Sequence, residues 1–150
     1  MAILGGLFKQ HRPRYTMNED DKFYVMSCSD LLGEITSVID GLGVMHDFFW
    51  DKVGESKYER KMRKCEARAK STLSEAEYIK APERFKEMHG HIVDGLRYFE
   101  QSYIESLVYF TDKQRNHIAK AIELALLGSA ELRDSSKQWA KIKNRAMTEE

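Results

Sequence analysis

A chain of 150 residues has the length of one domain and is long enough to bury a hydrophobic core. It is 42% hydrophobic and 32% charged and has two prolines, a composition typical of a charge-rich helical protein. The 24 basic and 24 acidic residues cancel, so there is no net attraction to phosphates and we do not expect a nucleic-acid partner. No apolar run approaches the ~18 residues of a membrane span, and no signal-peptide pattern is present. We therefore expect a cytoplasmic protein, and peripheral association with a membrane is the alternative.

Residues 1–15 form a separate N-terminal segment, in which apolar residues on one side of a short helix are followed by basic ones. Gly5, Gly6 and Pro13 argue against a helix that is stable alone, so we predict a flexible or docking tail. The alternative is a segment that inserts apolar side chains into a membrane surface or a partner while its basic residues meet anionic groups. The candidate contact residues are Ile3, Leu4, Leu7, Phe8, Lys9, Arg12 and Arg14.

Residues 16–150 are predicted to form a single helical-bundle domain. The first helix is predicted over residues 16–53, capped by Thr16 or Asn18 and ended by Gly54. Its apolar residues recur at alternating steps of four and three, a heptad pattern that favours coiled-coil-like packing. They are Tyr24, Cys28, Leu31, Ile35, Val38, Leu42, Met45 and Phe49. Three glycines inside this helix are expected to mark a kink or a close helix crossing: Gly33, Gly41 and Gly43.

The second helix is predicted over Glu55–Leu73 and contains the most basic stretch of the chain, which we interpret as a solvated face with phosphate contact as the alternative. Ser74 and Glu77 have the spacing of a capping box, which predicts a separate short helical turn before Pro82.

The third helix is predicted over residues 82–110, because eight apolar residues recur there at helical spacing from Phe85 to Phe110. Thr111 and Asp112 predict a break and a new N-cap, and the fourth helix is predicted from Asp112 to about Met147. Its predicted apolar stripe is Ile118, Ile122, Leu126, Ser129, Leu132, Ser136, Trp139, Ile142 and Ala146. Leu124, Ala125 and Leu127 widen this stripe around Gly128. Gly128 is expected to let another helix approach closely. The predicted fold is all-α, an elongated up-and-down bundle of three long helices and one shorter helix.

The sequence contains no motif that predicts a catalytic, cofactor-binding or metal-ligating set. The two cysteines, Cys28 and Cys65, lie at apolar helix positions and are expected to be free thiols, with a single bridge as the alternative. His89 and His91 should face nearly opposite ways on a helix. Glu87 and His91 lie four residues apart and can share a ligand, but no second Glu/His pair supports them, so we expect no cofactor.

The segment from Ala81 to His89, followed by Gly95, Tyr98 and Ser102, resembles a pattern in uncharacterised helical-bundle proteins of Gram-positive bacteria. In those proteins the helix that follows is similar to the pattern formed in this chain by Ala121, Leu124, Gly128 and Leu132. The resemblance covers the C-terminal half and implies a helical bundle without a known activity. Members are often lipoproteins, whereas a lipobox cysteine is missing here.

We predict a non-enzymatic interaction or structural module of bacterial or phage origin, with a protein partner or a second copy as its target. One alternative is a peripheral membrane protein that uses the N-terminal tail. The other is a bundle that binds a metal ion or small ligand around Glu87 and His91.

Overall fold

The computed structural model describes residues 17–148, with side chains as far as residue 145. Within this range the chain forms a helical bundle without strands. Its elements are α1 (Glu19–Phe49), α2 (Glu55–Tyr78), a 3-10 turn (Glu83–Phe85), α3 (Lys86–Asp112) and α4 (Asn116–Thr148). The predicted all-α class is confirmed, and α2, at 24 residues, is the shortest of the four helices. Helix α1, at 31 residues, is about 47 Å long at 1.5 Å per residue.

Consecutive helices run antiparallel. At one end of the bundle Lys113, just after α3, pairs with Glu55 at the start of α2 (Nζ–Oε1 2.6 Å). Towards the opposite end Arg97 of α3 pairs with Glu77 in the last turn of α2 (2.9 Å). The start of α2 therefore meets the end of α3, as an up-and-down order requires.

Helix α1 begins at the predicted cap but ends earlier than expected. The Asn18 side chain accepts a hydrogen bond from the backbone N–H of Asp21 (2.9 Å), and the Asp21 carboxylate accepts from the backbone N–H of Asn18 (3.3 Å). The helix stops at Phe49, and the residue with positive φ in the following turn is Asp51 (58°). The prediction that Gly54 ends this helix is therefore wrong; Gly54 has φ −77° and is the N-cap residue of α2.

The predicted break at Ser74 is also wrong, because α2 continues without interruption to Tyr78. The capping-box spacing is a local signal, and it is overridden here by packing: Thr72, Leu73 and Ala76 are all buried and hold this turn of the helix against the core. Helix α2 ends before the extended segment that leads to Pro82, as expected for the residues preceding a proline.

Helix α3 starts and ends later than predicted. Pro82 precedes a 3-10 turn, and the α-helix itself begins at Lys86. It continues through Asp112 and ends at Lys113, whose backbone is left-handed (φ 60°). Asp112 is thus not the N-cap of a new helix; its carboxylate accepts a hydrogen bond from the backbone N–H of Gln114 in the connecting turn (2.9 Å).

The core lies along the bundle axis and is rich in aromatic side chains. Tyr58, Phe85, Phe99 and Tyr103 are fully buried. The Tyr103 hydroxyl donates to the backbone carbonyl of Val38 on α1, and the hydroxyl of Tyr58 is hydrogen-bonded to another buried side chain, Ser106. Among the described side chains, every buried nitrogen or oxygen atom has a hydrogen-bond partner. The large rings therefore fill the core without leaving an unsatisfied polar atom.

The heptad seam of α1 closes only in part against its own bundle. Five of its eight positions are buried: Tyr24, Leu31, Ile35, Val38 and Met45. The other three are only partly buried, and Phe48 is buried in place of its neighbour Phe49. Of the three glycines in this helix, only Gly41 marks a close contact, since a Cβ there would overlap the Tyr103 ring.

Helix α4 packs on the core through part of the predicted stripe and through small residues beside it. Ile118 and Ile142 are buried as predicted, and Ile122, Leu132 and Trp139 are partly buried against the core, while the side chain of Ala146 lies outside the described residues. The buried positions between Ala121 and Ser135 are small: Ala121, Ala125, Gly128 and Ser135. The predicted stripe residue Leu126 is 55% exposed, and Leu127 is 49% exposed. Small residues occupy the contact with α3 because they let the two backbones approach closely. The spacing of large apolar residues does not reveal such a contact.

Gly128 faces Gly95 at the closest approach of these two helices, as its predicted role requires. A Cβ on Gly128 would lie 2.8 Å from Phe99 Cδ2 and 2.9 Å from the carbonyl oxygen of Gly95. The second of these contacts is with backbone, so it cannot be relieved by rotating a side chain.

We expect Gly128→Ala to destabilise the fold by about 1–3 kcal/mol, because overpacking outweighs the roughly 1 kcal/mol that alanine gains over glycine inside a helix. The measurement is urea unfolding followed by circular dichroism. The matched control is Gly43→Ala in α1, where a Cβ meets nothing within 4 Å, and that variant should be unchanged or slightly more stable. Equal effects of the two substitutions would contradict the close approach of α3 and α4.

Candidate functional site

The residues predicted to contact a membrane or a partner lie outside the part of the chain that the structure describes. They are Ile3, Leu4, Leu7, Phe8, Lys9, Arg12 and Arg14. Their role stays a prediction, and the candidate sites below are built from residues 17–145.

An apolar groove runs between α1 and α4, and α3 forms its floor. We call it the α1–α4 groove. Its apolar walls and floor include Val25, Cys28 and Leu32 of α1, Met88 and Ile92 of α3, and Trp139 of α4. It encloses about 270 Å³ and is roughly 16 Å long, the rise of α1 from Tyr24 to Ile35. No side chain that lines it, among the described residues, belongs to Asp, Glu, Lys, Arg or His.

Helices α1 and α4 are joined at the end away from the groove. There Arg115, just before α4, donates to the carbonyl oxygen of Phe49 (2.7 Å). Its guanidinium also lies over the Phe48 ring, 5.6 Å from the centroid. At the groove end, the Trp139 ring stacks on the buried Phe85 ring instead, with centroids 6.2 Å apart. Leu32, on the groove edge, is left 59% exposed.

A buried hydrogen-bonded chain lies next to the groove. The Tyr24 hydroxyl is 2.9 Å from His89 Nδ1, and His89 Nε2 is 2.7 Å from the carbonyl oxygen of Ala76. Because a carbonyl only accepts, His89 Nε2 carries a proton and donates it to Ala76, while Nδ1 is hydrogen-bonded to the Tyr24 hydroxyl. Both ring nitrogens of His89 are used, so this histidine ties α1, α2 and α3 together and has no atom left for a ligand.

The two titratable side chains of the groove are held neutral. Burial raises the pKa of the Cys28 thiol above its ordinary value, against a smaller lowering by its hydrogen bond to Tyr24. Burial also raises the pKa of the Tyr24 hydroxyl. A nucleophilic cysteine needs the opposite shift, towards the thiolate. Both Cys28 and Cys65 are free thiols, as predicted.

His91 faces away from His89, as the spacing predicts, and lies at the surface between α3 and α4. Its Nδ1 is 2.7 Å from Glu131 Oε2, and both side chains are about a quarter exposed. One atom from each of His91, Glu131 and Asp134 lies within 4.8 Å of the others. The hydrogen bond to Glu131 raises the pKa of His91, helped by the charges of Asp134 and Glu87.

Glu87, which the sequence paired with His91, has a different direct partner. Its Oε1 accepts a hydrogen bond from Gln138 Nε2 of α4 (3.0 Å). Sequence reasoning missed Glu131 and Asp134, although their spacing of three places them on one helix face. What it could not supply was the register of α4 against α3.

A second histidine, His117, sits between two carboxylates at the start of α4. Its Nδ1 is hydrogen-bonded to Glu105 of α3, and its Nε2 is 2.8 Å from Asp112 Oδ2. These hydrogen bonds, first that with Asp112 and then that with Glu105, raise the pKa of His117 above its ordinary value of 6.5.

The basic residues of α2 are solvated, as predicted. All seven are exposed: Lys57, Arg60, Lys61, Arg63, Lys64, Arg68 and Lys70. Arg63 pairs with Glu59 one turn earlier (2.7 Å). Two of the seven, Lys64 and Arg68, line a shallow surface hollow that also includes Glu34 of α1.

Comparisons with known proteins found no matching protein family, no similar curated protein and no similar solved structure. None of the helices in residues 17–148 is both long enough and apolar enough to cross a membrane. The candidate sites therefore rest on geometry and chemistry alone.

We expect the ion pairs of His117 to stabilise the protein at low pH. A group whose pKa is raised by folding contributes stability that is complete below its unfolded pKa, here about 6.5, and is lost as the pH rises through the folded value. The free energy of unfolding lost in His117→Gln should therefore shrink as the pH rises above about 6.5. Urea unfolding at several pH values measures it.

The matched control for this experiment is His46→Gln, since the His46 ring lies against Trp50 (centroids 6.5 Å) and not between carboxylates. A loss in His117→Gln that is the same at every pH would contradict the expected linkage.

Proposed function

We propose that the protein is a non-enzymatic structural module that self-associates, and that the α1–α4 groove is the interface between two copies. The observation that carries the proposal is an apolar groove without a charged lining side chain, with Leu32 59% exposed at its edge. Leaving a large side chain exposed beside an uncovered apolar surface is costly, and covering it with protein removes that cost.

A second copy is the occupant that the chain itself favours. In a two-fold interface each copy presents the same patch, so the patch must be self-complementary. Two features of the groove support such a patch: Leu32 is 59% exposed at its edge, and Val25, Met88 and Trp139 line the apolar depression beside it. Two antiparallel copies of α1 can insert Leu32 into each other's groove.

Charge and sequence pattern support the same occupant. The net charge of the chain is zero, so copies do not repel one another at long range. Helix α1 carries the heptad pattern, and Cys28, in its third turn, stays only partly buried in the bundle. Heptad positions that are not filled within one chain are available to a helix of another.

The chemistry of the groove supports a non-enzymatic role. Its volume of about 270 Å³ lies below the ~300–1,000 Å³ that small-molecule pockets usually enclose. Burial keeps Tyr24 and Cys28 protonated at neutral pH. The groove therefore offers apolar contact and no activated acid, base or nucleophile.

We expect light scattering across a concentration series to show dimers of the full-length protein. Leu32→Glu should weaken the association at least tenfold, because an unpaired charge would be buried in the interface at a cost of several kcal/mol. Leu32 is mostly exposed in one copy, so circular dichroism should show an intact helical fold.

The matched control is Leu126→Glu, which places the same charge on a leucine of similar exposure, 55%, outside the groove. It should associate like the unmodified protein. A protein that is monomeric at every concentration, or one in which both substitutions act equally, would rule the interface out.

A further inference from the structure

We propose that His91, Glu131 and Asp134 form a binding site for a divalent first-row transition metal ion such as Zn²⁺. The site lies at the surface between α3 and α4 and is independent of the α1–α4 groove. Helix α3 contributes the imidazole, and α4 contributes two carboxylates three residues apart. A bound ion would connect the two helices on their solvent side.

The donor atoms have the right chemistry and are close to the right distance. Imidazole nitrogen and carboxylate oxygen are both ordinary zinc ligands, at about 2.0–2.2 Å from the ion. Ligand atoms around a tetrahedral ion are therefore roughly 3.3–3.6 Å apart. The three donor atoms here lie within 4.8 Å of one another, so a closure of about 1 Å is enough.

The side chains can make that movement at little cost. The Asp134 side chain is 48% exposed, and Lys137, with which it forms an ion pair, is 4.0 Å away and itself largely exposed. His91 Nδ1 and Glu131 Oε2 are hydrogen-bonded at 2.7 Å, so an ion would replace this hydrogen bond, and the two atoms would separate by under about 1 Å while Asp134 closes. Three protein ligands leave a fourth position of the ion for water, which the solvent side of this surface supplies.

The carboxylates around His91 also favour a cation by charge. Glu87 lies one turn before His91 on the same helix, and its hydrogen bond to Gln138 keeps it between α3 and α4. Its negative charge adds to the charges of the two carboxylate ligands, Glu131 and Asp134, so the surroundings of His91 attract a cation.

The second histidine cluster supplies a comparison within the same chain. His117 also contacts two carboxylates, but Glu105 is on its Nδ1 and Asp112 is on its Nε2. The two ring nitrogens point in different directions, so these carboxylates cannot meet on one ion bound to either nitrogen. The cluster around His117 therefore has the same residue types and a similar charge, but its donor atoms do not converge on one point.

The test is calorimetric titration of Zn²⁺ into full-length, tag-free protein from which metal has been removed with a chelator. We expect one ion per chain with a dissociation constant below about 100 μM, and at least tenfold weaker binding for His91→Ala and for Glu131→Gln. His117→Ala should bind like the unmodified protein. Circular dichroism of each variant checks that the helices remain intact.

Thermal unfolding provides a second readout. An ion that binds only the folded state raises the unfolding temperature, so Zn²⁺ should stabilise the unmodified protein and the His117→Ala variant but not His91→Ala. Absence of stoichiometric binding would overturn the proposal. So would equal losses in His91→Ala and His117→Ala, since that result means that zinc binds surface histidines without a built site.

Discussion

The close approach of α3 and α4 is the constraint on which both candidate sites depend. Gly95 and Gly128 bring the two backbones together, and a Cβ on Gly128 would come within 2.9 Å of the Gly95 carbonyl oxygen. One helical turn away from this contact, His91 of α3 lies opposite Glu131 of α4. The same packing turns the small residues of α4 inward, and Trp139 is left at the edge of the groove. Two glycines thus set the geometry of the surface site and of the groove.

Much of the fold could be predicted from the sequence, because long helices with a regular apolar spacing leave few alternatives. The four helices and the Asn18 cap follow from local patterns. Two of the wrong boundaries came from local signals that the structure does not follow. At Ser74 the capping-box spacing was overridden by the buried residues around it, and near Gly54 the left-handed turn was made by Asp51.

The candidate sites were harder to predict, since both lie between helices that are distant in the sequence. Periodicity placed Leu126 in the core, although it is 55% exposed, because the pattern weighs large apolar residues and does not show how closely a partner helix approaches. It did place His89 and His91 on opposite sides. Glu131 could not be assigned to His91 without the register of the two helices, which the glycine contact determines.

The two tryptophans have a practical consequence that follows from their places in the bundle. Trp139 lines the α1–α4 groove, whereas Trp50 caps the other end of α1 and is 61% exposed. With only two tryptophans in the chain, replacing Trp50 leaves a single indole fluorophore, at the groove. The emission of that fluorophore would shift to shorter wavelength when water is excluded from the groove, so the chain carries its own optical reporter of whatever covers this surface.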